Sequence, residues 1–354
     1  MDKQTAHKNN FDFLRLLFAA LVVVHHCYPL SGASEQDPLF YFTGGKVSLT
    51  YIGVRGFFII SGYLIFQSLV RSKDLIDYFT KRFLRIYPAL IVVLFFTVFV
   101  CAFAYNGSII DYFSSLKTWS YAFINITMVK GQSLIPGVFE NNPFKQVING
   151  SLWTIAYEMS MYFFVAPLFF LRKKSKKVML MTILTMLFFL FIARIFFIEE
   201  LHQIRIILMM DFWVNFAILF MIGSLLALLE IEKMPYRIPI ALSASIILIL
   251  CLPLQNFEYI QYILLPIVIL LTGLTYQKSL SSITEKIGDI SYGTYIYGFI
   301  LQQLVMYFFP LNTLELLIVS LPLTLFFGWL SWHLVEKHIL AKKKVVYQKI
   351  KRFF

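Results

Sequence analysis

Residues 11–30 read FDFLRLLFAALVVVHHCYPL, an apolar stretch that is long enough to cross a membrane and carries ionisable side chains. Such groups inside a membrane helix cost about 2.5 kcal/mol or more, and they usually serve a function. On a helix, Arg15 and His26 fall within about 20° of each other and about 16 Å apart along the axis, whereas His25 points about 80° away. The stretch, which also contains Asp12, predicts a helix with a cation near one membrane face and an acid–base group deep in the bilayer.

The composition is that of a membrane protein. Of the 354 residues, 59% are hydrophobic and only 14% are charged, whereas a soluble domain carries about 25% charged residues. The mean hydropathy is +0.75. We expect an all-α, polytopic bundle of membrane helices, with residues 1–354 forming a single domain. No convincing cleavage site follows the first apolar segment, so we expect that segment to be retained.

Ten apolar segments are long enough to cross a bilayer. The seventh and the eighth are the least regular, because Pro253 and Pro266 interrupt them. The predicted spans are 11–30, 47–70, 83–105, 152–171, 178–198, 207–229, 237–254, 259–276, 288–309 and 314–335.

The distribution of Lys and Arg predicts the orientation. If the N-terminus is cytoplasmic, 24 of the 31 Lys and Arg residues flank the inner ends of the spans. This number includes Lys3, Lys8 and the basic tail 336–354; the seven others include Lys130 and Arg205. The positive-inside rule then places both termini in the cytoplasm. The net charge of +12 is explained by this topology, so we expect no nucleic-acid partner.

The cysteines and the longest connection carry weaker signals. Cys27, Cys101 and Cys251 lie in apolar runs without metal-ligand or disulfide spacing, so we interpret them as small buried residues and expect no metal site. The connection 106–151 is rich in Asn, Gly, Ser and aromatic residues. Long connections are often functional, and this one either lines an acceptor site or caps the bundle. The chain shows no strong internal repeat of the kind that builds transporters from inverted halves.

One carboxylate of the fourth segment is predicted to lie at a membrane depth similar to that of a histidine in the first segment. In SLWTIAYEMSMY, Trp153 is predicted near the outer surface, Glu158 lies deeper, and Ser151 shares the helical face of Glu158. With the first segment running outward, His26 reaches a similar depth, where a carboxylate can orient the imidazole as a general base requires. The alternative is a buried polar pair that only holds helices together.

Arginines accumulate on the predicted inner side. Arg82 and Arg85, in KRFLRIYP, share one helical face. Planar guanidinium groups suit phosphate oxygens, although simple positive-inside flanking also explains these positions. Arg55 in GVRGFFIISGYLI and Tyr292 in ISYGTYIYGF add polar groups within spans, and the glycines of the former run predict close helix packing.

Taken in order, these runs resemble the acyltransferase 3 family of bacterial membrane proteins. An arginine followed eleven positions later by His26 resembles the first-helix pattern of that family. The runs GVRGFFIISGYLI, KRFLRIYP, SLWTIAYEMSMY, ISYGTYIYGF and LVEKHI are similar to five further motifs. The chain departs from the family at Gly298, where many members have histidine, and at His338, where a proline often falls.

The resemblance implies ten membrane helices and transfer of an acyl group, usually acetyl from acetyl-CoA, to carbohydrates such as O-antigen or exopolysaccharide of the cell envelope. It marks His26 as the essential histidine with Arg15 as its partner in the motif. It further assigns Arg82 and Arg85 to the donor and Glu158 to the acidic position.

We therefore expect a membrane O-acetyltransferase that uses acetyl-CoA and a saccharide or lipid-linked saccharide acceptor. His26 would be the general base assisted by Glu158, although a route through an acyl-histidine stays open. Arg15, Arg82 and Arg85 would bind the donor phosphates. The alternatives are a glycolipid transporter or flippase that uses the same intramembrane charges, and a non-catalytic assembly subunit. The expected substrate-binding residues are Arg55, Ser151, Trp153 and Tyr292.

Overall fold

A computed structural model describes residues 9–33, 36–129, 131–204 and 207–352. The cations Lys3, Lys8, Lys130 and Arg205, which entered the orientation argument, lie outside these residues. Within the described part the chain is helical, as predicted, and its β-structure amounts to one antiparallel bridge between Tyr105 and Val138.

Seventeen α-helices occur in the described residues. They are α1 (Phe11–Leu30), α2 (Pro38–Phe42), α3 (Leu49–Arg71), α4 (Leu75–Cys101), α5 (Ile109–Ser114), α6 (Leu116–Thr127), α7 (Trp153–Val165), α8 (Lys176–Phe196), α9 (Ile198–Gln203), α10 (Met210–Leu228), α11 (Arg237–Leu250), α12 (Phe257–Leu274), α13 (Lys278–Ile287), α14 (Ser291–Phe308), α15 (Thr313–Ser331), α16 (Lys337–Ala341) and α17 (Lys343–Lys351). Short 3₁₀ segments follow α4, α7 and α10 at Ala102–Ala104, Ala166–Leu171 and Ile231–Lys233, and a π-helical segment, Trp332–Glu336, follows α15.

Eight of these helical stretches, within the described residues, are long and apolar enough to cross a membrane, which makes this a multi-pass membrane protein. Each corresponds to a predicted span. They are Phe11–Leu30, Leu49–Arg71, Leu75–Ala104, Trp153–Leu171, Lys176–Phe196, Met210–Leu228, Phe257–Leu274 and Thr313–Ala341.

Two of the ten predicted spans do not meet this criterion. In the seventh, α11 is only 14 residues long and ends at Leu250, because the approach to Pro253 disfavours helical backbone. In the ninth, α14 has 18 residues but includes four tyrosines and two glutamines. Most of α14 is buried, so its surface need not be as apolar as that of a lipid-facing helix.

The chain divides into two compact units. The first contains the chain up to Arg15, Val54–Tyr78 and Tyr157–Lys286; the second contains Leu16–Gly53, Phe79–Ala156 and the chain from Ile287. Glycines bring helices together in both. In the first unit, a side chain on Gly62 would overlap the backbone of Phe220, and one on Gly223 would overlap the backbone of Ile59. The predicted role of Gly62 in close helix packing is thereby confirmed.

In the second unit α14 is a buried helix that packs against α15. A Cβ on Gly293 would lie 2.9 Å from the Cα of Gly328, so these two helices approach at paired glycines. Polar side chains of α14 bind backbone groups of other segments: Gln302 Nε2 donates to the carbonyl oxygen of Val23 at 2.8 Å, and Tyr292 Oη donates to that of Ile86 at 3.1 Å. These bonds explain why a buried helix carries hydroxyl and amide groups.

Candidate active site

The C-terminal end of α1 carries two adjacent histidines, and the first of them is bound to a carboxylate. Nδ1 of His25 lies 2.7 Å from Oδ2 of Asp37, a residue that the sequence analysis did not select. The Asp37 side chain is completely buried and also accepts backbone N–H bonds from Phe40 at 3.2 Å and Leu49 at 3.1 Å. This carboxylate is therefore rigidly held.

Local sequence explains the position of Asp37. Asp37 is the N-cap of the short helix α2, and Pro38 occupies the first helical position. Both residues are preferred at these positions. The aspartate oxygen accepts a hydrogen bond from a first-turn N–H group, and proline has no N–H group that would be left without a partner. The cap uses Oδ1 for α2, and Oδ2 remains to bind the imidazole of His25 and the first residue of α3.

His26 has a different environment. Its ring meets the ring of Phe299 edge-on, at a centroid distance of 5.0 Å, and lies 6.0 Å from the ring of His25. Its Nδ1 is buried and forms no hydrogen bond with any residue that the structure describes. An unpartnered buried nitrogen is unusual, because most buried polar atoms find a partner.

A glutamine and a glycine of α14 determine how closely that helix meets α1. Nε2 of Gln302 contacts Sγ of Cys27 at 3.0 Å, in addition to its bond to α1 backbone. One turn earlier, a Cβ on Gly298 would lie 2.8 Å from Cγ2 of Val23. The side chain of a histidine at position 298 would thus collide with α1 unless the helices moved apart.

The connection 106–151 is folded against α14. Asn142 Nδ2 donates to Gln303 Oε1 at 2.7 Å, and Gln303 Nε2 donates to the carbonyl oxygens of Phe144 at 2.9 Å and Val147 at 2.7 Å. Asn149 Nδ2 bonds to the carbonyl oxygen of Ile296 at 2.8 Å. Helices α5 and α6 also belong to this connection, which is therefore an ordered part of the second unit.

The two predicted substrate residues near α7 differ in exposure. Ser151 is buried and Trp153 is 43% exposed. The prediction that Ser151 shares a helical face with Glu158 is wrong, because α7 begins at Trp153 and Ser151 lies in the preceding turn. There its N–H donates to Asn149 Oδ1 at 3.1 Å.

A charged cluster surrounds Arg85. Its guanidinium donates to Asp289 at 2.6 Å and to Glu336 at 3.2 Å. Its Cζ lies 5.9 Å from the ring centroid of Tyr292, so two predicted site residues come together here. Helix α4 begins at Leu75, so Arg82 and Arg85 lie inside this helix rather than at its start.

The remaining predicted residues belong to the first unit. Glu158 accepts hydrogen bonds from Tyr162 Oη at 2.5 Å and from Ser61 Oγ at 3.2 Å. Arg15 and Arg55 are both partly exposed, and Arg55 is near enough for its charge to act on the hydroxyl of Tyr262. His26 belongs to the second unit, and its pairing with Glu158 stays a prediction.

The three cysteines carry free thiols. Cys27 and Cys101 are buried, as predicted, whereas Cys251 is partly exposed. Over residues 9–33, 36–129, 131–204 and 207–352, no three His, Cys, Asp or Glu side chains gather as a metal site would require.

Comparison with known proteins identifies the family. Residues 8–333 match the acyltransferase domain that defines the acyltransferase 3 family. This chain belongs to the acyltransferase 3 family. The match covers nearly the whole acyltransferase, including His25 and His26, the arginines Arg82 and Arg85 of α4, and the buried helix α14.

Three relatives illustrate the range of similarity. The acyltransferase is 29% identical to an O-acetyl transferase of Shigella phage Sf6, over 95% of this chain and 97% of the phage protein. It is 39% identical to nodulation protein 10 of Rhizobium leguminosarum bv. viciae, over 26% of this chain and 24% of that protein. An uncharacterised protein of Haemophilus influenzae is 29% identical over 56% of this chain and 86% of its own length. No solved structure matches the acyltransferase.

Three carboxylates of the acyltransferase were not predicted as site residues, namely Asp37, Asp289 and Glu336. Asp37 had a readable signal, since Asp-Pro before an apolar run is typical of a helix N-cap. Glu336 lies in the run LVEKHI, which was quoted only for its resemblance to a family motif. The pairing of Asp289 and Glu336 with Arg85 had no signal, because Arg85 is more than 200 residues away in the chain.

Proposed function

We propose that this acyltransferase moves an acetyl group from acetyl-CoA to a hydroxyl group of a saccharide or a lipid-linked saccharide. The single observation that carries the proposal is the similarity to a phage O-acetyl transferase along 95% of the chain. The similarity lies within a family of acyltransferases, which favours an enzyme over a transporter or an assembly subunit. The acceptor would be a glycan of the bacterial cell envelope.

The proposed topology has both termini in the cytoplasm and ten crossings of the bacterial inner membrane. It is supported by the distribution of cations, because 24 of the 31 Lys and Arg residues would then flank the cytoplasmic ends of the spans. The ninth crossing would be α14, which is buried against other helices and can therefore contain polar groups. The seventh would be α11, together with the residues that follow it up to 254. The basic helix α17 would then lie on the cytoplasmic side.

The donor would reach the enzyme from the cytoplasm, with its phosphates near Arg15, Arg82 and Arg85. Guanidinium groups bind phosphate through paired hydrogen bonds, which supports their choice. Arg85 already bonds to Asp289 and Glu336. A phosphate group that bound Arg85 would therefore either displace one of these carboxylates from the guanidinium or bind the guanidinium together with them.

The reaction would take place at the outer end of α1. His26 would accept the proton of the acceptor hydroxyl while the oxygen attacks the thioester carbon. Its Nδ1 has no hydrogen-bond partner among the described residues, which supports a ring that is kept available for a substrate. Glu158 would supply a negative charge that stabilises the protonated imidazole.

The acceptor would be bound by residues on the proposed outer side. Trp153 offers an exposed aromatic surface at the beginning of α7, and Arg55 offers a cation. Ser151 is buried and would shape the site through its loop. Tyr292 would instead contribute its ring at the donor end of the site, because its hydroxyl is bonded to the backbone of α4 and its ring lies beside Arg85.

Transfer of radioactive acetyl from acetyl-CoA tests the function. Inverted membrane vesicles from the bacterium that makes this protein contain its natural acceptors and expose the proposed donor side. We expect label in the saccharide fraction of vesicles that contain the protein and none in vesicles from a deletion strain. Equal labelling of both would refute the proposal, as would transport of glycolipid without incorporation of acetyl groups.

A further inference from the structure

The hydrogen bond between His25 and Asp37 defines the form of the imidazole. An ionised carboxylate only accepts hydrogen bonds, so the shared proton belongs to Nδ1 of His25. Nε2 forms no hydrogen bond within the described residues, and the side chain is 18% exposed. The ring is thus held in one orientation with one nitrogen directed away from its carboxylate.

Asp37 is held more firmly than a surface carboxylate. The side chain is completely buried, and two backbone N–H groups, from Phe40 and Leu49, fix its oxygens. An imidazole bonded to such a carboxylate is fixed in its orientation, because the carboxylate oxygens are themselves held by the fold. His26 shares no such bond in the described part of the chain and lies against the ring of Phe299.

Two adjacent histidines with different surroundings can divide acid and base work. We propose that His25 is the general acid of the acetyl transfer, and that Asp37 is its positioning residue. The inference rests on the proposed function and deepens it, because it adds a second proton-transfer group to the base His26.

In the proposed step, the carbonyl carbon of the acetyl group exchanges its bond to sulfur for a bond to the acceptor oxygen. The acceptor oxygen bonds to the carbonyl carbon of acetyl-CoA, and its proton moves to Nδ1 of His26. The carbon–sulfur bond breaks with its electron pair on sulfur, and the proton on Nε2 of His25 moves to that sulfur, so that CoA leaves as a thiol. A proton then passes from His26 to His25, whose ring centroids are 6.0 Å apart. A free thiolate inside the membrane would be costly, and protonation avoids it.

The first test compares single and double variants in the inverted vesicles described above. His25→Gln and Asp37→Asn should each lower the saturating rate about 100-fold or more, with little change in KM for acetyl-CoA. The double variant should be no slower than the slower single variant, because the two side chains act as one unit. Asp37→Glu should restore part of the rate. Asparagine is itself a good N-cap, so Asp37→Asn keeps the cap of α2.

The second test changes the leaving group. Acetyl-selenocoenzyme A releases a selenol, which is much more acidic than a thiol and leaves without help from an acid. The rate loss caused by His25→Gln should therefore shrink at least tenfold with this donor. An equal loss with both donors would overturn the assignment, as would variants that match the wild type at equal protein levels.

A matched control exists in the first unit. His202 and Asp211 form a second histidine–aspartate pair, with Nδ1 to Oδ2 at 2.9 Å and a His202 side chain that is 67% exposed. His202→Gln should leave the rate unchanged with both donors. If wild-type vesicles incorporate no label, the proposed function fails; if they do and His25→Gln is equally active, only the present inference fails.

Discussion

The guanidinium of Arg85 lies 3.2 Å from the carboxylate of Glu336, whose side chain is 2% exposed. Glu336 ends the π-helical segment Trp332–Glu336 and also accepts a bond from Ser331 Oγ at 2.8 Å. Asp289, at 2.6 Å on the other side of Arg85, completes the cluster. The cluster joins α4 to the beginning of α14 and the end of α15, so its loss should affect folding as well as donor binding.

Arg85→Ala should destabilise the protein by about 3 kcal/mol or more, because it leaves the buried Glu336 charge without its partner. Adding Glu336→Gln removes that charge and should restore much of the thermal stability in detergent. A double variant as unstable as Arg85→Ala would contradict this view. If Arg85 also binds donor phosphate, the stabilised double variant should still have a higher KM for acetyl-CoA than the wild type.

His26→Ala should abolish acetyl incorporation while the protein stays in the membrane at the wild-type level. Removal of a general base commonly costs about 100- to 10,000-fold in rate. The measurement is labelled acetyl in saccharide, normalised to immunodetected protein. His338→Ala is the matched control, because His338 is exposed in α16, and it should remain active. Normal transfer by His26→Ala would remove this residue from the mechanism.

Glu158→Gln should lower the rate of transfer without a comparable loss of stability. Glutamine can still accept hydrogen bonds from Tyr162 and Ser61, so the packing of α7 is kept while the negative charge is lost. Rates and melting temperatures should be measured on the same preparations. A parallel loss of both would show that Glu158 supports the structure rather than the reaction.

Gly62→Ala should prevent accumulation of folded protein. The new Cβ would overlap the backbone of Phe220, and overpacking of this kind costs about 1–3 kcal/mol or more, since neither helix backbone can yield locally. Gly131→Ala is the control: there the nearest atom, Asn125 Oδ1, would be 3.5 Å away. The readout is the amount of monodisperse protein after extraction. Equal yields of the two variants would contradict the close approach of α3 and α10.

Gln303→Met should loosen the connection 106–151 from α14. The substitution leaves the carbonyl groups of Phe144 and Val147 without their side-chain donor, at a cost of about 1–3 kcal/mol for a buried group. We expect faster tryptic cleavage at Lys145. Gln348→Met, at an exposed position of α17, should be cut at the wild-type rate. Unchanged cleavage of Gln303→Met would show that other contacts hold this connection.

The class of fold and the family could be inferred from the order of the amino acids. Long apolar segments form helices in a membrane, because every backbone polar group must be satisfied within its own segment. Because this rule applies within each segment, the eight spans could be predicted without tertiary information. Glycine spacing in α3 likewise predicted a close helix contact, which Gly62 makes. The ordered motifs were sufficient to indicate the family that the comparison with known proteins identified.

The contacts between polar groups became apparent in the folded chain. The fold joins Asp37 to His25 through a helix cap in the following loop, a pairing that was not predicted. Likewise, Arg85 obtains its partners from positions 289 and 336. Hydrophobic periodicity is a property of neighbouring residues, whereas a hydrogen bond depends on the directions of side chains that the chain brings together over long separations. For that reason the helices were predictable and the partners of the charged groups were not.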